Sequence, residues 1–324
     1  MTTTRNTEAV ATARTVDATP LVRGVSPVLE VPFTANGDVD YDGFARVVSY
    51  AFSCGVTSVM FPGFASEFHK LSDAERWELS LILLDYTRDR DDIAAVVALQ
   101  DHATKLAVAY AQQVVAAGAD LLNLLPPYLL GPSSAAVQEH VRSVLSAVPD
   151  TPVVLQYAPN QTGTSLDAPT IGALAREHPN LRLVKVESTP PGALIAALGA
   201  QDPPLPSVVG YAGVQLPDAV RRGAVGVMPG CSFIEIYVEI WRRFSTGDSV
   251  GAHELHRRLL PYISYWMLHT ELIIAAEKLI SVRRGLFASA HCRAPAHALD
   301  AEEIRTVDRF LDEFADYLPR LDTF

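Results

Sequence analysis

The stretch "LRLVKVES", residues 181–188, reads as a strand buried on both faces. Strand side chains alternate, so Leu181, Leu183, Lys185 and Glu187 are expected to share one face. A strand apolar on both faces belongs to a parallel sheet covered by helices. Inside it a lysine needs a reason, because a charged amine is costly there unless it is paired.

Seven similar runs flank this one. They are "GVSPVLEVPF" (24–33), "VTSVMFPG" (56–63), "IAAVVAL" (93–99), "DLLNLLPP" (120–127), "TPVVLQYAP" (151–159), "PSVVGYAG" (206–213) and "AVGVMPG" (224–230). Between them lie amphipathic stretches at 40–53, 72–88, 103–117, 134–147, 168–177 and 232–246. Eight strand-like runs with helical stretches such as these between them predict an α/β fold, the (β/α)8 TIM barrel. Ser72 with Glu75 three residues on reads as a capping box. A doubly wound sheet would carry a Gly-rich phosphate loop after its first strand, and none is present. Beyond about residue 250 the pattern becomes helical throughout. The expected division is a disordered leader over 1–22, a barrel over 23–248 and a C-terminal helical appendage over 249–324.

Composition narrows the function classes. The 324 residues are 49% hydrophobic, ample for a core of this size. A net charge of −11 argues against nucleic acid as a partner. Cys54, Cys231 and Cys292 are odd in number and form no C-x-x-C pair, which predicts reduced thiols, a cytoplasmic protein and no zinc site. The first twenty residues lack the apolar core of a secretory signal. No long uncharged apolar stretch predicts a membrane span. His253 and His256 in "HELHRRLL" have a metal-ligand spacing but read as a surface pair, so no metal is expected.

Lys185 falls near the end of the sixth strand, and barrels keep their active sites at the C-terminal strand ends. Burial favours the neutral form of an amine. A neutral amine attacks a ketone to form a Schiff base. The resulting iminium draws electrons from a neighbouring C–C or C–O bond. On the residues alone, a structural ion pair between Lys185 and Glu187 is the other reading.

Residues 24–285 resemble the dihydrodipicolinate synthase/N-acetylneuraminate lyase family of class I aldolases. The resemblance runs in order through "VPFTANGDVDYDGF" (31–44), "GVTSVMFPGFASEFHKLSDAER" (55–76), "AAGADLLNLLPPY" (116–128), "VVLQYAPNQTGTSL" (153–166), "LVKVES" (183–188) and "RRGAVGVMPG" (221–230). It implies a barrel with a C-terminal helical part, assembled as a homodimer or homotetramer. It implies that Lys185 forms the Schiff base with pyruvate or a related 2-oxo acid, with no cofactor. The substrate-binding positions it suggests are Ala65, Ser66, Gln156, Gly210 and Met228.

The chain departs from its relatives where they handle protons. Their Gly-Thr-Thr-Gly-Glu is Gly63-Phe64-Ala65-Ser66-Glu67 here, so both threonines are gone. Their fifth-strand tyrosine falls at Gln156, and strand parity turns the adjacent Tyr157 to the opposite face. Gln161 stands at their arginine, and Leu129, next to Tyr128, at the tyrosine that a neighbouring subunit lends. A glutamine cannot act as a general acid or base. Proton transfer is therefore expected from Glu187, Glu67, His69 or a bound water, with Glu187 favoured because it shares the face of Lys185. The reading is a Schiff-base lyase of aldolase or dehydratase type that is not an authentic dihydrodipicolinate synthase. The alternative is a catalytically silent barrel that binds a small acid or serves as a partner subunit.

Overall fold

The computed structural model describes residues 18–321. Most of the expected leader, residues 1–17, lies outside them. Eight parallel strands form the sheet: β1 (Gly24–Val25), β2 (Ser58–Phe61), β3 (Ala94–Leu99), β4 (Leu121–Leu124), β5 (Val153–Tyr157), β6 (Leu181–Val186), β7 (Ser207–Val209) and β8 (Gly226–Val227). From β2 to β8 each strand pairs with its neighbour in chain order, and β1 pairs with β8. Val28 completes the ring by bridging Met60 on one side and Gly230 on the other.

The first strand is shorter than "GVSPVLEVPF" suggests. Pro27 has no N–H to give to the ladder, so regular pairing stops after Val25. Isolated bonds, Val28 N to Pro229 O at 2.7 Å and Leu29 N to Met60 O at 3.0 Å, hold the rest of the run in place.

Side-chain parity follows the pleat. Ala94, Val96 and Ala98 of β3 fill the barrel with Val28, Met60, Val154, Leu183, Val208 and Met228. Ala95, Val97 and Leu99 pack outward against the helices. Leu181 breaks the parity expected of its strand and joins the outer cluster. The pairing of β5 with β6 shifts between Val153 and Val154, which turns the start of β6 over. Leu183 and Lys185 keep the inward face.

Residues 18–22, expected in the leader, are instead part of the barrel's packing. Thr19–Val22 form a 3-10 turn, and Ala18 and Val22 are buried against the interior residues. Thr57 Oγ1 donates to Leu21 O at 2.6 Å and ties the turn down.

Around the sheet run α1 (Tyr41–Ser53), α2 (Asp73–Thr87), α3 (Thr104–Ala116), α4 (Ser134–Ala147), the single turn α5 (Pro159–Thr162), α6 (Ala168–Glu177), α7 (Gly192–Gly199), α8 (Leu216–Arg221) and α9 (Ile234–Ser245). Ser72 caps α2 through the reciprocal bonds expected, its hydroxyl accepting from Glu75 N and its N–H reaching Glu75 Oε2 at 2.9 Å.

The C-terminal part comprises α10 (Ser249–Trp266), α11 (Thr270–Arg284) and α12 (Ala301–Glu313). The rings of Trp266 and Tyr262 pack with Phe310 inside the chain. One expectation changes here: His256 is not a surface residue. It is buried, and its Nε2 lies 2.9 Å from Gly213 O. Among the described residues, no cluster of three His, Cys, Asp or Glu side chains is placed to hold a metal. No described helix is long and apolar enough to cross a membrane.

Candidate active site

Lys185 is the second-last residue of β6, and only 3% of it is exposed. The register sets it beside Gln156 of β5. A polar chain crosses three strands here. Asn123 Nδ2 of β4 donates to Gln156 Oε1 at 2.8 Å. Gln156 Nε2 donates to Glu187 Oε2 at 2.6 Å. Glu187 Oε1 lies 3.3 Å from Lys185 Nζ. Glu187 follows β6 directly, and its own N–H is held by Tyr157 O at 2.7 Å. Gly210, just past β7, leaves room for this carboxylate. A Cβ there would overlap Glu187 Oε1.

Lys185 and Glu187 open into a cavity of about 560 Å³, counted out to its mouth. Ala65, Met228, Gln161, Tyr211 and Glu277 contribute to its wall. Tyr211 and Ala212 both hold left-handed backbone, φ 53° and 48°. Such non-glycine residues cost on the order of 1–3 kcal/mol each and cluster at functional sites. Tyr237 Oη donates to Ala212 O at 2.6 Å and stabilises the bend. Gln161 Nε2 donates to the Tyr211 hydroxyl at 2.6 Å. The hydroxyl proton is then left to donate into the cavity.

Glu277 reaches the same cavity from α11. It is 3% exposed, and its Oε1 has no hydrogen-bond partner among the described residues. Burial, reinforced by the nearby Glu30, holds its carboxyl well above the ordinary carboxylate range. Glu30 sits behind it. Burial pushes that carboxyl up to about 7, against the bond from Ser281 and the fields of Lys278 and Arg284.

The structure brings together only part of the set expected from the sequence. Lys185, Glu187, Ala65 and Met228 line the cavity, with Gly210 immediately behind Glu187. Gln156 is one step removed, its amide consumed by Asn123 and Glu187. Ser66 turns its hydroxyl into the backbone, accepting from Gly63 N at 2.9 Å and donating to Leu29 O. Glu67 is fully buried outside the cavity lining. Lys278 and Lys70 donate to it, the latter at 3.0 Å, and Arg293 N adds a bond at 3.1 Å. His69 faces Glu271 at the surface, 3.2 Å away. Tyr157 takes the outer face, with its hydroxyl 3.2 Å from Ser165 Oγ.

Sequence reasoning missed Glu277 and Tyr211. The signals were a charged pair, Glu277-Lys278, inside the apolar run "LIIAAEKLISV" (272–282), and a tyrosine between two glycines in "GYAG" (210–213).

A parallel barrel with a lysine buried at the C-terminal end of an inner strand, next to a carboxylate, is the layout of a class I, aldolase-type lyase. Residues 21–314 match the model of the dihydrodipicolinate synthetase family, and the chain belongs to that family. It is 32% identical over 256 residues to the 4-hydroxy-tetrahydrodipicolinate synthase of Acidothermus cellulolyticus, spanning 78% of this chain and 80% of that one. It is 26% identical over 307 residues to the enzyme of the same name from Haloarcula marismortui, spanning 93% and 94%. In fold it is similar to the dihydrodipicolinate synthase of Rhodopseudomonas palustris. The TM-score there is 0.83 at 24% identity, over 91% of this chain and 98% of that chain.

Proposed function

We propose that the protein is a cytoplasmic Schiff-base lyase acting on pyruvate or another small 2-oxo acid through Lys185. The observation that carries this reading is the Lys185–Glu187 pair, 3.3 Å apart, opening into the mouth cavity of a barrel of this family. Glu187 takes the proton of the Lys185 ammonium and frees the amine to add to the C2 carbonyl. Gln156, itself fixed by Asn123, keeps Glu187 turned toward the lysine. The Tyr211 hydroxyl and the first turn around Ala65 hold the substrate's oxygens.

Aldol cleavage or condensation, or dehydration of a hydroxylated 2-oxo acid, follows from the electron sink of the iminium. The chain is not an authentic dihydrodipicolinate synthase on this reading, because Gln156 replaces the tyrosine and Phe64 and Ala65 the threonines of its relatives' relay. The protein works as a homodimer or homotetramer. The exposed Leu129, Leu130 and Leu268 supply apolar contact area.

Borohydride trapping tests the reading. The protein is incubated with pyruvate and a panel of 2-oxo acids, reduced, and weighed intact. A reduced adduct mapping to Lys185, and absent from Lys185→Ala, is the expected result. The same ion pair also favours a second reading, in which it only neutralises two buried charges and the barrel is silent. No adduct with any acid of the panel would decide for that one.

A further inference from the structure

We propose that Glu277 is the proton-transfer residue of the cavity, protonating the oxygen that leaves the substrate's C2 carbon and then removing the proton from C3. This deepens the Schiff-base reading and rests on it.

Three features of the site argue for it. Glu277 comes from α11, far along the chain from Lys185, yet both side chains line one cavity. Its carboxyl is held where packing alone gives no reason for a carboxyl. Oε1 has no partner, and no cation pairs with it among the described residues. The neighbouring Lys278 is turned to Glu67. A buried polar group without a partner is destabilising, and such exceptions call for a functional explanation. The backbone has also been cleared for this side chain. Gly230 follows β8, and a Cβ there would overlap Glu277 Oε2.

Chemistry agrees with placement. Burial and the nearby Glu30 favour the protonated form of Glu277, the form a general acid needs. Cys231 and Tyr237, which also feel its charge, are themselves shifted by burial toward their protonated forms. The steps balance. The Lys185 amine adds to C2, and one N–H proton moves to the oxygen to give the carbinolamine. Glu277 donates its proton as that hydroxyl departs as water, and the C2–N double bond forms. The Glu277 carboxylate then removes a C3 proton, leaving the enamine, and is neutral again. This supplies the function that Gln156 cannot.

The experiment pairs two readouts on the full chain. One is borohydride trapping at Lys185. The other is exchange of the C3 protons for deuterium, followed by NMR, using pyruvate or whichever 2-oxo acid of the panel labels the wild type. Glu277→Gln is expected to reach the wild-type extent of trapping after long incubation but to lose at least about 100-fold in exchange rate. Glu277→Asp should recover at least about tenfold of that loss. Exchange by Glu277→Gln within about threefold of wild type overturns the proposal, as does Glu277→Asp no faster than Glu277→Gln. If Glu277→Gln does not fold by circular dichroism, Gly230→Ala decides. Its new methyl displaces the carboxyl, so a loss of exchange supports the proposal and a wild-type rate overturns it. A wild type that forms no adduct overturns the lyase reading and this proposal with it. Normal trapping with undisturbed exchange in Glu277→Gln overturns this proposal alone.

Discussion

A methyl group on Gly210 would occupy the space that Oε1 of Glu187 fills. The end of β7 is thus bare so that the carboxylate after β6 can stand beside Lys185. Gly210→Ala is expected to push Glu187 off both Lys185 and Gln156. Misplacing a catalytic group by about an ångström can cost on the order of 100-fold. Steady-state rates on the trapped substrate should fall by about that much, with the far-UV spectrum unchanged.

Glu187→Gln keeps the shape and removes the base proposed for the Lys185 ammonium. Turnover should slow by at least about 100-fold, while the reduced adduct at Lys185 still forms on long incubation. Gln156→Ala should cost less, because it removes only the group that orients Glu187. Tyr157→Phe should be nearly silent, since its hydroxyl bonds Ser165 outside the cavity.

Glu30 makes a prediction about pH. Its carboxyl rises from 4.5 to about 7 in the folded protein, mainly through burial. Between those values the native state binds more protons than the unfolded one, so stability falls as pH rises. The contribution is complete below about pH 4.5 and gone above about pH 7, and amounts to about 3 kcal/mol. Ser281, Lys278, Cys231 and Arg284 face this carboxyl and oppose the shift, while Glu277 titrates in the same direction. Urea unfolding at pH 5 and pH 8 should therefore show a smaller difference between wild type and Glu30→Gln at the lower pH. Equal differences at both would contradict the assignment.

The pair of Lys278 with Glu67 is completely buried. Removing one partner of such a pair costs about 3–5 kcal/mol, whereas replacing both with apolar groups is often mild. Lys278→Met should lower the midpoint of urea unfolding strongly. The double variant Glu67→Met/Lys278→Met should recover part of that loss, since Lys70 keeps Glu271 at 2.6 Å.

Much of this was legible from local pattern. The alternation of β3, the capping of α2 and the inward face of Lys185 all follow from period and from near neighbours in the chain. What was not legible depends on distant parts meeting. Pro27 cut β1 short, and one shifted register turned Leu181 outward. Glu67 looked catalytic because it stands in the right motif, but Lys278, two hundred residues on, claims it. Glu277 looked like an ordinary helical residue until α11 folded across the cavity. Periodicity reports which face is buried and says nothing about what that face meets.

The bond between Lys278 and Glu67 ties α11 to the loop after β2, and that tie has a consequence for biosynthesis. Chains leave the ribosome N-terminus first, so Lys185 is exposed to the cell's metabolites well before α11 has been made. A partly made barrel would own the nucleophile but lack one wall of its pocket and the carboxyl that wall carries. On the Schiff-base reading proposed above, covalent chemistry with 2-oxo acids would in this way be deferred until nearly the last helix has been translated and docked.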